Sequence, residues 1–153
     1  MPHRRRPPAP ATASALARAA EALDAFCAAE RLPPDLAWRL RVAVDEVLAN
    51  IVSHGARSGR APAIEVTFRR SGDAVELVVS DDGPAFDPLA QPAPDVTLPL
   101  EAREPGGLGI ALVKALMDDV QYERTTRNVL TMRKQIASAQ DPGAAPPDAV
   151  EGP

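Results

Sequence analysis

The apolar residues in the first third of the chain recur every three or four positions, which is the spacing of one helical face. Residues 13–31 are also rich in alanine and leucine, which favour helix. A second stretch with this spacing, residues 35–54, follows two prolines that suit a helix entrance. Gly55 comes directly after it and is a typical C-terminal stop. The pattern therefore predicts two helices that end near residues 31 and 54.

The period of the pattern then changes to two, which indicates β-strands. Alternating apolar residues predict a hairpin of strands at 64–69 and 75–79. A third helix at 107–117 is followed by two more strands at 120–124 and 129–134. Helices combined with antiparallel strands predict an α+β fold, a two-layer sandwich with helices on one face of a mostly antiparallel sheet.

The prolines divide the chain into a domain, two tails and a long internal loop. Tails rich in alanine and proline bury too little apolar surface to offset the entropy of ordering them. We therefore expect disordered tails at 1–12 and 137–153 around one domain, 13–136. Residues 1–12 show no strand pattern, so no opening strand is expected. Residues 83–107 are rich in proline and glycine, and a loop this long is usually a functional lid.

Composition and charge exclude several classes of protein. A net charge of −4 argues against a general nucleic-acid binder, which would carry a basic stripe. No apolar stretch approaches the roughly 20 residues of a membrane span, and the N-terminus lacks the apolar core of a secretory signal. These features predict a cytoplasmic protein without direct nucleic-acid or membrane contact. Cys27 is the single cysteine, so a disulfide within the chain and a cysteine zinc site are both excluded.

Two polar residues of the second predicted helix, Glu46 and Asn50, are spaced so that both project from one face. A carboxylate can act as a general base, and an amide oxygen can ligate Mg²⁺ without adding charge. The spacing is common, so a solvated helix face is the alternative. His54, one turn further on, is interpreted as a packing or capping residue.

A second segment with candidate chemistry begins at Asp81, where the second strand ends. Asp82-Gly83 is a common hairpin signal, but proline and apolar residues follow it instead of an alternating strand. The other interpretation is that Asp81 accepts a hydrogen bond from an exocyclic amine such as that of adenine. Gly83 would then let the backbone approach a flat ring. The residues alone leave both interpretations open.

A third segment, residues 106–109, leads three glycines directly into the third helix. Free N–H groups at a helix start bind phosphate, and glycine permits close approach. The segment is not a P-loop, because no Lys-Ser/Thr pair follows, and no strand directly precedes it as in dinucleotide-binding proteins. Each segment is a weak signal alone, but the three in this order are specific.

The order of these segments resembles the GHKL ATPase superfamily, to which gyrases and histidine kinases belong. The stretches VAVDEVLANIVSHGA, VSDDGPAFDP and GGLGIALVKALMDDVQYER are most similar to the bacterial anti-sigma-factor serine/threonine kinases. The resemblance covers roughly residues 13–135. It implies the GHKL (Bergerat) ATP-binding fold, with ATP and Mg²⁺ as cofactors.

The resemblance also implies a role for individual residues. Glu46 is the implied general base, Asn50 the implied Mg²⁺ ligand, and Asp81 the implied partner of the adenine amine. Ala85 stands where many members of the superfamily have glycine. The remaining implied nucleotide contacts are Gly83, Ala85 and Phe86 near the base, Gly106, Gly107, Leu108 and Gly109 near the phosphates, and Thr131 on the last strand near adenine.

The activity that the resemblance implies is phosphorylation of a serine on a STAS-type anti-anti-sigma protein, which regulates sigma-factor availability and so transcription. A sigma factor is the second implied partner. A homodimer is left open, because a short opening strand common in the family has no counterpart in the pattern of residues 1–12. One alternative is an ATP-responsive module that sequesters a regulator without kinase activity. Another is a detached histidine-kinase domain, which the lack of a preceding phosphoacceptor helix disfavours.

Overall fold

A computed structural model describes residues 9–10, 12–90, 97, 99 and 107–136. The elements in chain order are β1 (Ala9–Pro10), α1 (Ala13–Ala29), α2 (Pro34–Ser58), β2 (Ala63–Ser71), β3 (Ala74–Asp81), a short 3₁₀ turn (Pro88–Ala90), α3 (Gly107–Leu116), β4 (Asp119–Arg124) and β5 (Asn128–Gln135). The strands form one sheet in the order β1-β2-β3-β5-β4, and neighbouring strands are antiparallel throughout.

The central strand β3 shows how the two layers are built. Val75, Leu77 and Val79 point to one face and are almost fully buried, because side chains alternate between the faces of a strand. All three helices contribute residues to the hydrophobic cluster on that face. The largest buried side chains are aliphatic, as the low aromatic content requires. The predicted α+β two-layer architecture is confirmed.

The start of the chain differs from the prediction. The expectation that no strand opens the chain is wrong, because β1 pairs with the first two residues of β2 at the sheet edge. Edge pairing uses backbone groups and tolerates proline. A strand of two residues is also too short to show an alternating pattern. Thr12 then accepts a hydrogen bond from the Ala15 N–H at 3.1 Å and caps α1. The rest of residues 1–12 lies outside the described part of the chain.

Helix α2 extends one turn beyond its predicted end. The prediction that Gly55 stops it is wrong: Gly59 is the C-cap, in the left-handed conformation with φ of 77°. Gly55 lies buried inside the helix, where a Cβ atom would collide with Cδ of Pro62. The glycine is therefore required by a close approach of another segment and not by a turn.

Two predicted segments fall largely outside the described residues. The proposed lid is described only over its first part, up to Ala90, at residues 97 and 99, and at its last residue, Gly107. The predicted tail at 137–153 is not described. Both remain predictions.

Candidate nucleotide-binding site

A pocket opens between α2, the first turns of α3 and one end of the sheet. Its lining is mostly apolar with a few polar groups, which is typical of small-molecule sites. The predicted residues Asn50, Asp81, Gly83 and Phe86 all line it. The other lining residues are Val47, Ile51, His54, Gly55, Pro62, Val79, Pro84, Pro88, Ile110, Tyr122, Asn128 and Leu130. The fold therefore brings two of the three predicted segments to one cavity.

Asp81 is the last residue of β3 and is only 7% exposed. Its Oδ1 accepts hydrogen bonds from Gly83 N (2.9 Å) and from Asn128 Nδ2 (3.1 Å). Within the described part of the chain, Oδ2 has no hydrogen-bond partner. Asp81 lines the pocket, so this unpartnered oxygen is suited to accept a hydrogen bond from a ligand.

Gly83 is fitted to this carboxylate. A Cβ atom at position 83 would lie 2.8 Å from Oδ1 of Asp81. A side chain there would displace the carboxylate that its own N–H group contacts. The glycine thus keeps Asp81 in place from within the loop.

Asn128 connects the loop to the sheet, although no sequence motif marks it. It is 7% exposed and lies directly opposite Asp81 in the β3–β5 register. Neither hairpin fixes this register, because β3 and β5 are not consecutive along the chain. The Asn128 amide nitrogen donates to Asp81 Oδ1 (3.1 Å), Pro84 O (2.9 Å) and Gly83 O (3.4 Å). The amide oxygen accepts from Tyr122 Oη (2.6 Å) and Phe86 N (3.3 Å).

Thr131 does not belong to the pocket. On β5 the buried residues Leu130 and Met132 face the core, so Thr131 points to the other face, where it pairs with Val78. The structure therefore does not place Thr131 where the implied adenine contact requires it. A shift of one residue along a strand moves a side chain to the opposite face, and a motif match without the register does not detect it.

Glu46 lies beside the first turn of α3. A Cβ atom at Gly109 would collide with Oε2 of Glu46, so the carboxylate and the helix start are in direct proximity. Asn50, one turn further along α2, lines the pocket, whereas Glu46 is not among the lining residues. Among the described residues, no three His, Cys, Asp or Glu side chains form a metal-binding group.

The remaining predicted contacts have mixed outcomes. Gly107 and Leu108 open α3, and Gly106 lies outside the described residues. Ala85 is exposed and is not among the lining residues. Of the residues implied to contact the phosphates and the base, the structure therefore places only some at the pocket.

His54 packs on the loop that follows Asp81. Its ring lies 3.7 Å from that of Phe86, centroid to centroid, at a tilt of 32°. Burial lowers the pKa of His54, the charge of Arg57 lowers it further, and Asp81 opposes the shift. The interpretation as a packing residue agrees with this contact, and His54 also lines the pocket.

Arginines that the sequence analysis did not single out hold the same end of the sheet. Arg124 donates to the Gly83 carbonyl at 3.0 Å, and Arg127 donates to the Ala63 carbonyl at 3.0 Å. Asp82 accepts from the Ala63 N–H at 2.7 Å. This backbone hydrogen bond is the main cause that lowers the pKa of Asp82. The loop is thus tied to β2 and β4 without using Asp81 Oδ2.

Comparison with known families identifies the family of this domain. A family model described as the histidine kinase-like ATPase domain matches residues 9–134. The chain therefore belongs to the histidine kinase-like ATPase family, the GHKL group that its motifs resemble. A domain of this family implies ATP binding. None of the described helices is both long and apolar enough to cross a membrane.

Similar curated proteins are named as protein kinases. The serine/threonine-protein kinase BtrW of Bordetella bronchiseptica is 33% identical over 102 residues, which are 67% of this chain and 72% of the relative. The serine-protein kinase RsbW of Oceanobacillus iheyensis is 32% identical over 107 residues, 66% of each protein. The RsbW of Bacillus subtilis is 28% identical over 103 residues, 63% of each. The chain thus spans about two thirds of the length of these relatives.

Proposed function

We propose that this chain is an anti-sigma-type serine/threonine protein kinase. It binds Mg-ATP, phosphorylates a serine of a STAS-type anti-anti-sigma protein and thereby regulates the availability of a sigma factor. One observation carries the proposal: the Glu46 carboxylate lies against Gly109, at the start of α3, one helical turn from the pocket residue Asn50. The naming of the similar proteins as serine kinases supports the same activity.

The described residues fit a nucleotide. Apolar walls and the unpartnered Oδ2 of Asp81 suit an adenine ring with its amine, and the N–H groups at the start of α3 suit phosphates. Asn50 and the oxygens of the ligand would hold Mg²⁺. When bound, Mg-ATP supplies the transferable phosphoryl group and neutralises the charge that develops during transfer.

Glu46 is the proposed general base. In this role its carboxylate accepts the proton of the attacking serine hydroxyl, while α3 and Asn50 position the reacting groups. Glu46 is half-buried on α2, which leaves it accessible to a protein substrate.

The test is phosphotransfer by Glu46→Gln to a STAS-type protein from the same genome, followed as phosphoserine by mass spectrometry. We expect ATP affinity to be retained and the transfer rate to fall roughly 100-fold or more, the usual contribution of a general base. Glu123→Gln, a matched change at an exposed position of β4, should keep the full rate. Equal transfer by Glu46→Gln would remove the proposed base.

A second candidate is an ATP-responsive module that sequesters a regulator without chemistry. Glu46 is not among the pocket-lining residues, and this observation favours binding over catalysis. ATP-dependent capture of the STAS-type protein without any phosphoserine would support this second candidate and refute the kinase.

A further inference from the structure

We propose that Tyr122 and Asn128 are positioning residues that orient Asp81 and so determine selectivity for a base with an exocyclic amine. This inference rests on the proposed ATP binding. Both residues line the pocket, and the inference concerns their action through Asp81.

The Asn128 side chain is fully committed within the protein. It is 7% exposed, and both ends of its amide make hydrogen bonds. The orientation of the amide is fixed, because the Phe86 N–H can only donate and the Pro84 carbonyl can only accept. Asn128 therefore has little capacity left for a ligand and instead fixes the groups around it.

The two carboxylate oxygens of Asp81 therefore have different roles. Asn128 and the Gly83 N–H both donate to Oδ1. Saturation of Oδ1 orients the carboxylate and leaves Oδ2 as the acceptor for the ligand. A carboxylate free to rotate would present this acceptor less often, and the base would be bound less selectively.

Tyr122 anchors the amide from the neighbouring strand. Its hydroxyl donates to Asn128 Oδ1 at 2.6 Å, the shortest contact of that side chain. Without the hydroxyl, Oδ1 keeps only the longer 3.3 Å contact from Phe86 N. The orientation of Asp81 therefore depends on a residue of β4, two hydrogen bonds away.

Selectivity between ATP and inosine triphosphate isolates this effect. The two ligands share sugar, phosphates and ring shape, but inosine carries an oxygen where adenine carries its amine, and an N–H at ring position 1 where adenine has an acceptor. A carboxylate acceptor favours the amine and repels the oxygen. A defect in Asp81 orientation should weaken ATP only, whereas general loosening of the pocket should weaken both.

The experiment is calorimetric titration of both nucleotides into the full chain and into Tyr122→Phe. We expect ATP affinity to fall roughly three- to tenfold, the usual effect of one lost hydrogen bond, with inosine triphosphate affinity not reduced and Tm lowered only slightly. Gln121→Ala, the adjacent exposed residue of β4, is the control and should change neither. In an Asp81→Asn background, Tyr122→Phe should no longer change the ratio of the two affinities.

Asn128→Leu provides a second variant of similar shape, since it removes the donor to Asp81 without adding a charge. A larger loss of ATP selectivity than in Tyr122→Phe is expected. Equal weakening of both nucleotides, or unchanged ATP affinity in both variants, would overturn the inference while leaving the proposed function intact. Failure of the wild-type chain to bind ATP would overturn the proposed function, and the inference with it.

Discussion

A methyl group added at Gly109 would act directly on the proposed catalytic carboxylate. The new Cβ atom would collide with Oε2 of Glu46 and lie 3.4 Å from its Cδ. The contact is with the far end of a flexible side chain, so Glu46 moves and the helix backbone stays. Alanine in a helix is also more favourable than glycine by about 1 kcal/mol. Gly109→Ala should therefore displace the base without destabilising the fold.

The expected magnitude is large for activity and small for stability. Relief of the collision requires the carboxylate to move by about 1 Å, and a displacement of that size costs on the order of 100-fold in rate. Tm should be unchanged or slightly higher. The assay is the initial rate of phosphoserine formation at saturating ATP, with a thermal melt and an ATP titration of the same variant.

The controls separate Glu46 from other causes. Ala111→Ser, at an exposed position of α3, should keep the full rate. In a Glu46→Ala background, Gly109→Ala should cost nothing further, because both changes act on one group. A full rate in Gly109→Ala, or a rate loss matched by a loss of Tm or of ATP affinity, would refute the reasoning.

Two further predictions concern stability. Gly55→Ala should lower the free energy of unfolding in urea by about 1–3 kcal/mol, the cost of overpacking. The reason is that the new methyl group meets the rigid ring of Pro62. An unchanged free energy of unfolding would contradict this close approach. The pKa of His54 is lowered from 6.5, chiefly by burial. As pH falls below that value the unfolded chain takes up the proton first, so stability should fall toward the folded pKa. His54→Gln should lose less stability between about pH 7.5 and about pH 5.5, and an equal loss would refute the assignment to His54.

Local periodicity predicted the fold because each element buries one face. The apolar stripe of α2 and the alternating apolar residues of β3 are the residues that form the core. Gly55 was misassigned, because its requirement comes from Pro62, a contact between segments that local pattern does not encode. The two-residue β1 was missed for a related reason, since its pairing uses backbone groups only.

The site was predictable where motif residues act through their own spacing. Asp81 and Gly83 contact each other within one loop, and Asn50 faces the pocket by helical spacing. The roles of Asn128 and Thr131 could not be predicted from the sequence, because they depend on strand register. The residue opposite Asp81 is Asn128, and this is known only when the pairing of β3 with β5 is known.

Calorimetric titration of Mg-ATP into the wild-type chain, Asp81→Asn and Thr131→Val tests the central claim most directly. Because Asp81 Oδ2 is the proposed acceptor for the adenine amine, Asp81→Asn should weaken binding by about tenfold or more, the usual value of a charged hydrogen bond. Thr131 faces away from the pocket, so Thr131→Val should bind ATP like the wild type. No binding by the wild type, or equal binding by Asp81→Asn, would contradict the account.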